Sequence, residues 1–454
     1  MTDILLLTVD SLRADHVGCY GYDRETTPTI DALADEGCRF ENAFAHACST
    51  RPSFPSILAS SYALMYGGYE RISDEQTLVS EALSDAGYRT AGLHSNLYLS
   101  ADFGYGSGFD HFFDSKTDPG PVARIKQIAK DRLDNDGLLF QALSTGVNTA
   151  ERQAGLNVGS AYVTADDLTD MAVDWVDEQA TASDPRFLWA HYMDVHHPYV
   201  PPERHQRALT GEYIDERQAV KLRRKMLEEP EALSEHERQQ LLDLYDAEIR
   251  FCDAEIGRLL QHVRETWGED TVVLFTADHG EEFGEHGQYS HHATFFDEVT
   301  HVPFVLSDGE ASGEFEDLVG LLDVTPTLVD YAGGEQADAF WGHSLRSLVG
   351  AGEWPRDSVI GDWAPDGPDS ERRYAYRDHD WKYIRRGQDE ELYDLRADPG
   401  ETEDVAGEER SALERCRAAV DDHERDVDAT TVDLGDVEME DHVKQRLRDL
   451  GYQE

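Results

Sequence analysis

The chain is short of basic residues. It carries 40 Lys and Arg against 93 Asp and Glu over 454 residues, a formal charge of −53. Nucleic acids and anionic membranes are gripped by clustered Lys and Arg, so neither is an expected partner. The acidic excess is spread along the sequence and does not collect in a tail. Such a surface repels itself, and concentrated salt screens the repulsion. A halophile's salt-rich cytoplasm is therefore the expected setting.

Cysteine is also scarce. Cys19, Cys38, Cys48, Cys252 and Cys416 are odd in number and form no C-x-x-C pair, which argues against a disulfide framework and a zinc ribbon. Long apolar runs are missing too. The first one, Ile4 to Val9, has the length of a strand, no basic stretch precedes it, and nothing approaches the ~18 residues of a membrane span. The expectation is a soluble cytoplasmic protein without a membrane span. Internal repeats are likewise not visible.

What is present is alternation. "ILLLTVD", "TAGLHSN", "RFLWAHYMD", "TVVLFTADHG" and "HVPFVLS" read as buried strands, separated by amphipathic stretches. This pattern predicts an α/β fold, a mainly parallel sheet sandwiched by helices, with its chemistry beyond the carboxyl ends of the strands. "TTPTIDALADEG" predicts a helix of about two turns, capped by the Thr before Pro28 and stopped at Gly37. "LLDLYDAEIRFCDAEIGRLLQHV" keeps helical spacing through Leu260. Residues 115–160 and 203–240 read as insertions, the second as a solvated helical excursion. The texture changes near Asp357, dividing the chain into a catalytic domain, 1–350, and a smaller α+β subdomain, 351–454. In the latter, "WKYIRR" and "ELYDLRADPGETEDV" predict a β-hairpin with a turn at Asp398 to Gly400, followed by an acidic helical tail.

Four polar clusters lie at or beyond strand ends. Asp10 follows "ILLLTV", and Asp278-His279-Gly280 follows "TVVLFTA", with Glu281, Glu282, Glu285 and His286 behind it. Asp10, Asp278 and His279 together make a carboxylate, carboxylate, imidazole set that suits a divalent cation. "HYMDVHHPY" adds His191, Asp194, His196 and His197, and "YSHHATFF" adds His291 and His292. In "HACSTRPSFPS", Cys48, Ser49, Thr50 and Ser53 each offer a nucleophilic atom.

Several of these stretches, "LLTVDSLRADHVGCYGY", "TPTIDALADEG", "RPSFPSILAS", "MDVHHPYVPP", "DHGEEFGEHG", "HVPF" and "ELYDLRADPGE", resemble in order the motifs of the sulfatase family of the alkaline phosphatase superfamily. The resemblance implies an alkaline-phosphatase-like α/β core with a C-terminal subdomain bearing a short antiparallel sheet. It also implies metal-dependent hydrolysis of sulfate or phosphate esters. Its metal ligands carry over to Asp10, Asp278 and His279, with Ser11 where many members have a second Asp. In the family's Cys-x-Pro-Ser-Arg motif, Pro-Ser corresponds to Pro52-Ser53, which puts Thr50 at the nucleophile position and Phe54 at that of the Arg. A Thr cannot become formylglycine, so none is expected; its hydroxyl can instead attack when a bound cation lowers its pKa. Cys48 then reads as a small buried neighbour.

His196 matches the family's His-x-Pro histidine, and His292 falls where many sulfatases carry a substrate-gripping Lys, with His291 equally well placed. His191, Asp194, and His196 or His292 could alternatively build a second metal site, with His197 beside them. The expected cofactor is a divalent ion, with Mn²⁺, Zn²⁺ or Mg²⁺ suiting the donors better than Ca²⁺. The expected substrate is a small-molecule, glycan or lipid head-group ester: a phosphodiester, phosphomonoester or phosphonate. The alternatives are a sulfuric ester hydrolase working without formylglycine and a non-catalytic binding partner.

Overall fold

The computed structural model describes residues 2–67, 71–115, 162–291, 294–364 and 371–430. Most of the 115–160 insertion and the end of the acidic tail lie outside them. The core is an eight-stranded sheet in the order β10-β2-β9-β6-β1-β5-β3-β4. Its strands are β1 (Ile4–Val9), β2 (Cys38–Phe44), β3 (Arg89–Leu93), β4 (His111–Phe113), β5 (Arg186–Tyr192), β6 (Val272–Ala277), β9 (Phe304–Ser307) and β10 (Gly313–Gly320). A two-residue ladder, β7 (Glu282–Phe283) with β8 (Tyr289–Ser290), stands apart from it.

β1 sits between β5 and β6, parallel to both, and every one of its residues is buried. A strand covered on both faces needs an unbroken apolar run, which is why "ILLLTV" does not alternate. β9, expected within the mainly parallel sheet, is antiparallel to both of its neighbours, β6 and β2. The chain leaves β6 at the sheet's carboxyl edge, forms the site loops there, and re-enters from that same edge without a long crossover helix.

The helix predicted at Pro28 spans Pro28–Glu36, but its first turn is not capped by the Thr27 side chain. Asp253 takes the orphan N–H groups of Thr29 and Ile30 instead. Asp253 belongs to the helix Glu235–Trp267, which opens with a Ser234/Glu237 capping box. The polar side chains of this helix hold the loops around the sheet's carboxyl edge. Tyr245 donates to the Ser11 carbonyl and accepts from Arg13 N–H, Asp246 holds His16, and Glu248 accepts from Val200 N–H. The expected helical excursion appears as Glu203–Thr210 and Glu216–Glu228.

The C-terminal sheet is antiparallel, in the order β11 (Val359–Trp363), β12 (Arg373–Arg377), β13 (Trp381–Arg386), β14 (Asp389–Asp394), and the helix Arg410–Thr430 covers it. The predicted hairpin is β13–β14, but its turn lies at Gly387-Gln388, where Gly387 adopts φ +57. Asp398 to Gly400 forms a separate turn beyond β14, so the Asp-Pro-Gly signal marked the exit of the hairpin and not its tip. Tyr62, Leu64, Met65 and Leu322 pack into the same apolar cluster as Tyr374, Tyr383, Leu392, Cys416 and Val420. The chain leaving the helix Thr50–Ala59 is thereby anchored in the C-terminal layer. No helix among the described residues is long and apolar enough to cross a membrane.

Candidate active site

β1 and β6 are adjacent and parallel, so the residues just past their ends meet. Asp10, Asp278 and His279 are all fully buried, and each offers a ligand atom within 4.8 Å of the other two. Ser11 joins the two carboxylates. It adopts φ +56, its N–H donates to Asp278 Oδ1 at 3.2 Å, and its hydroxyl donates to Asp10 Oδ1 at 2.8 Å. Ser11 is thus a bridge between the two carboxylates.

The helix Thr50–Ala59 starts at this point, with Thr50 in its first turn. Thr50 Oγ1 donates to Asp10 Oδ2 at 3.0 Å and lies 3.3 Å from His279 Nε2. Negative charge on that oxygen would be favoured by the helix N-terminus. The Ser53 hydroxyl donates to the Ala47 carbonyl instead, and Ser49 is the extended residue preceding the helix. Cys48 is buried. Phe54, at the motif's Arg position, is also buried and packs edge-on against His191 with ring centroids 4.9 Å apart.

The donor set suits a divalent cation. His279 Nδ1–H donates to the Gly280 carbonyl, which leaves the Nε2 lone pair facing the carboxylates. Asp278 Oδ2 is buried without a hydrogen-bond partner. Burial, then the charge of Asp10, push the Asp278 carboxyl far above its ordinary range. Burial acts on Asp10 in the same direction, but His196, His191 and His279 outweigh it and hold its carboxyl low. Burial, reinforced by His291, brings His279 down to about 3, so its imidazole is neutral and able to ligate. Positive charge is what two such carboxylates lack.

Around this centre stand the other predicted histidines. His196 donates its Nδ1–H to the His197 carbonyl at 2.6 Å, and burial lowers its pKa. His291 Nδ1 lies 3.0 Å from Glu281 Oε1, and its ring is 4.5 Å from that of His279. Tyr199 donates to the other oxygen of Glu281 at 2.7 Å. His292 lies outside the described residues. His197 accepts from Arg223 Nε at 3.2 Å and contacts the Ser290 hydroxyl at 3.3 Å. Glu281 was in view in "DHGEE" without a role, and Arg223, on the inserted helix Glu216–Glu228, gave no signal in the sequence.

Among the described residues, which leave out His292, His191 and Asp194 join no second metal group. Among the described residues two sets of His, Cys, Asp and Glu are tight enough for an ion, and neither contains them. The second set is His286, Glu298 and Glu401, where the Lys382 ammonium already stands 3.3 Å from Glu401 Oε1. Asp194 accepts from Ala165 N–H and interacts electrostatically with Glu248 and Cys252. Burial raises the pKa of Asp194, and burial and the Asp194 charge raise that of Glu248. A carboxyl whose folded pKa exceeds its unfolded one contributes stability below the ordinary carboxyl range that is lost as pH rises. Asp194→Asn is therefore expected to raise the melting temperature more at pH 8.5 than at pH 5, by calorimetry at constant high salt; equal gains at both would refute the assignment.

Comparison with known proteins fits this geometry. Residues 2–334 match the Sulfatase family, and residues 284–421 match the family described as N-sulphoglucosamine sulphohydrolase, C-terminal. An arylsulfatase of Clostridium perfringens is 26% identical over 449 residues, covering 90% of this chain and 90% of its own. A choline-sulfatase of Rhizobium meliloti is 26% identical over 445 residues, covering 91% of this chain and 84% of its own. The phosphonate monoester hydrolase of Agrobacterium radiobacter shares the fold with a TM-score of 0.71 at 19% identity, over 94% of this chain and 96% of that one. With a family match across most of its length and a sheet edge that gathers the family's motif residues, this chain belongs to the sulfatase family and is an ester hydrolase.

Proposed function

We propose that the protein is a metal-dependent hydrolase of phosphate or phosphonate esters in which Thr50 is the nucleophile. The observation that carries this reading is the Thr50 hydroxyl, 3.0 Å from Asp10 Oδ2 and 3.3 Å from His279 Nε2. Asp10, Asp278, His279 and Thr50 would hold the cation, and Mn²⁺, Zn²⁺ or Mg²⁺ suits these donors. Such an ion supplies Lewis acidity, acidifying a hydroxyl and neutralising charge on the ester oxygens.

The chain's own residues account for the rest. Asp10 orients the Thr50 hydroxyl by accepting its hydrogen bond, and the helix N-terminus favours the charge that develops as the proton leaves. His196 has its Nδ1–H on a carbonyl, and burial favours its neutral form, so Nε2 is a proton acceptor. It can take the Thr50 proton and return it to the leaving oxygen, and then take a proton from the water that displaces the phosphoryl group from Thr50 and hand it back to the Thr50 oxygen. His291, aligned by Glu281 and Tyr199, is the candidate for contacting the non-bridging oxygens.

Sulfate ester hydrolysis is the second reading, and the arylsulfatase and choline-sulfatase relatives support it. The two separate with p-nitrophenyl phosphate, phosphodiester, phosphonate and sulfate, assayed with Mn²⁺, Mg²⁺, Zn²⁺ and Ca²⁺ in turn. A higher kcat/KM on the phosphorus esters supports the first reading, and faster turnover of the sulfate ester overturns it. The assay belongs in high salt, because the charge of −53 supports a halophile's cytoplasm as the working medium.

A further inference from the structure

His191 is left without a function by that mechanism, although it is completely buried beside Asp10. We propose that His191 is a positioning residue whose Nε2–H holds the Asp10 carboxylate, and through it the Thr50 hydroxyl, in place for the cation. This rests on the reading of Asp10 as a metal ligand and adds the relay that sets its orientation.

The relay follows from strand register. Thr8 on β1 lies directly opposite His191 on β5. With a side-chain period of two, Asp10 shares a face with Thr8, and Trp189 shares a face with His191. Trp189 Nε1–H, which can only donate, reaches Thr8 Oγ1 at 3.0 Å. Thr8 Oγ1 is in turn 3.0 Å from His191 Nδ1. In the proposed relay the hydroxyl accepts from the indole and donates its own proton to Nδ1, which puts the imidazole proton on Nε2. That nitrogen has no hydrogen-bond partner within the usual limit and stands 3.6 Å from Asp10 Oδ2, the oxygen that also receives the Thr50 hydroxyl. Phe54 edge-on at 4.9 Å and Trp189 stacked at 6.3 Å hold the ring plane.

This arrangement explains why His191 is not a ligand. A protonated Nε2 has no lone pair for an ion, and His191 lies outside the tight Asp10, Asp278, His279 set. It also gives the Phe54 substitution a consequence. The apolar ring at the motif's Arg position packs on the imidazole and keeps it directed at Asp10. With Ser11 providing no carboxylate, the aim of Asp10 weighs more in binding the cation.

Two measurements made without substrate test the proposal. Mn²⁺ affinity by titration calorimetry is expected to fall about 10- to 100-fold in His191→Ala, the usual effect of removing a group that orients a ligand. His191→Gln, whose side-chain amide can donate to Asp10, should recover most of the loss. In wild-type protein with ¹⁵N-labelled histidine, the His191 signal, identified by its absence in His191→Gln, should report a proton on Nε2, and Thr8→Val should abolish that preference. Wild-type Mn²⁺ affinity in His191→Ala would overturn the proposal. So would equal losses in the Ala and Gln variants at unchanged melting temperature, or a proton on Nδ1 in the wild type. If Thr50→Ala keeps its turnover while His191→Ala weakens Mn²⁺ binding, the nucleophile assignment fails and the relay stands.

Discussion

Thr50→Ala is expected to lower kcat by a factor on the order of 10⁴ to 10⁶, the range seen when a nucleophile that works within a constellation is removed. The substitution takes away the only described hydroxyl that contacts both Asp10 and His279. The fold should survive. Ala is a good residue at a helix start, and the net loss is one hydrogen bond, worth about 1 kcal/mol. Thr50→Ser restores the hydroxyl and should recover much of the rate, with a deficit from the freer rotation of a side chain without the β-methyl. The measurement is kcat for both variants on the best ester of the series, with Mn²⁺ content determined in parallel. Turnover that persists in Thr50→Ala would return attention to Cys48 and Ser49.

Asp278→Asn should change stability in opposite directions with and without metal. In metal-free protein the buried Asp278 carboxyl sits beside Asp10 with one oxygen unpaired, and both burial and that neighbour disfavour its charge. A raised folded pKa means stability is lost as pH rises above the ordinary carboxyl range. Asparagine removes that loss, so the metal-free variant should melt higher than wild type at pH 8 and by a smaller margin at pH 5. With metal the order should reverse. A ligand present at a thousand times its dissociation constant adds about 4 kcal/mol to the folded state, and the variant forfeits most of that gain. Thermal melts with EDTA and with saturating Mn²⁺, at both pH values, provide the check. A variant that gains as much as wild type from Mn²⁺ would remove Asp278 from the ligand set.

The outcome at each strand reflects how locally it is encoded. β1, β3, β5, β6 and β9 were legible because buried strands require short apolar runs with polar ends. β10 was not: it is the sheet's edge, and "GEFEDLVG" exposes its acidic half to solvent. β2 and β4 also lack a continuous apolar run. The antiparallel course of β9 is a property of the connection, and "HVPF" has no direction of its own. The hairpin turn was misplaced because Asp-Pro-Gly is a strong turn signal wherever it occurs, whereas the tip at Gly387-Gln388 carries a single glycine.

Read alone, the sequence determined the fold class and pointed to the family. It also placed Asp10 and Asp278-His279 at the ends of apolar strands, because the two-residue strand period and the chain's arrival at a sheet edge are local properties. Tertiary structure set the contact between them, bringing the Thr50 hydroxyl at the start of its helix 3.0 Å from Asp10 Oδ2 and 3.3 Å from His279 Nε2. It also placed the Asp194 carboxylate on the Ala165 N–H, and set His191 beside Asp10 with Thr8 and Trp189 behind it. Thr8 and His191 are 183 positions apart in the chain yet adjacent in register. Parallel strands are joined by long crossovers, so contacts between them arise only when the sheet assembles, and no spacing in the sequence records them.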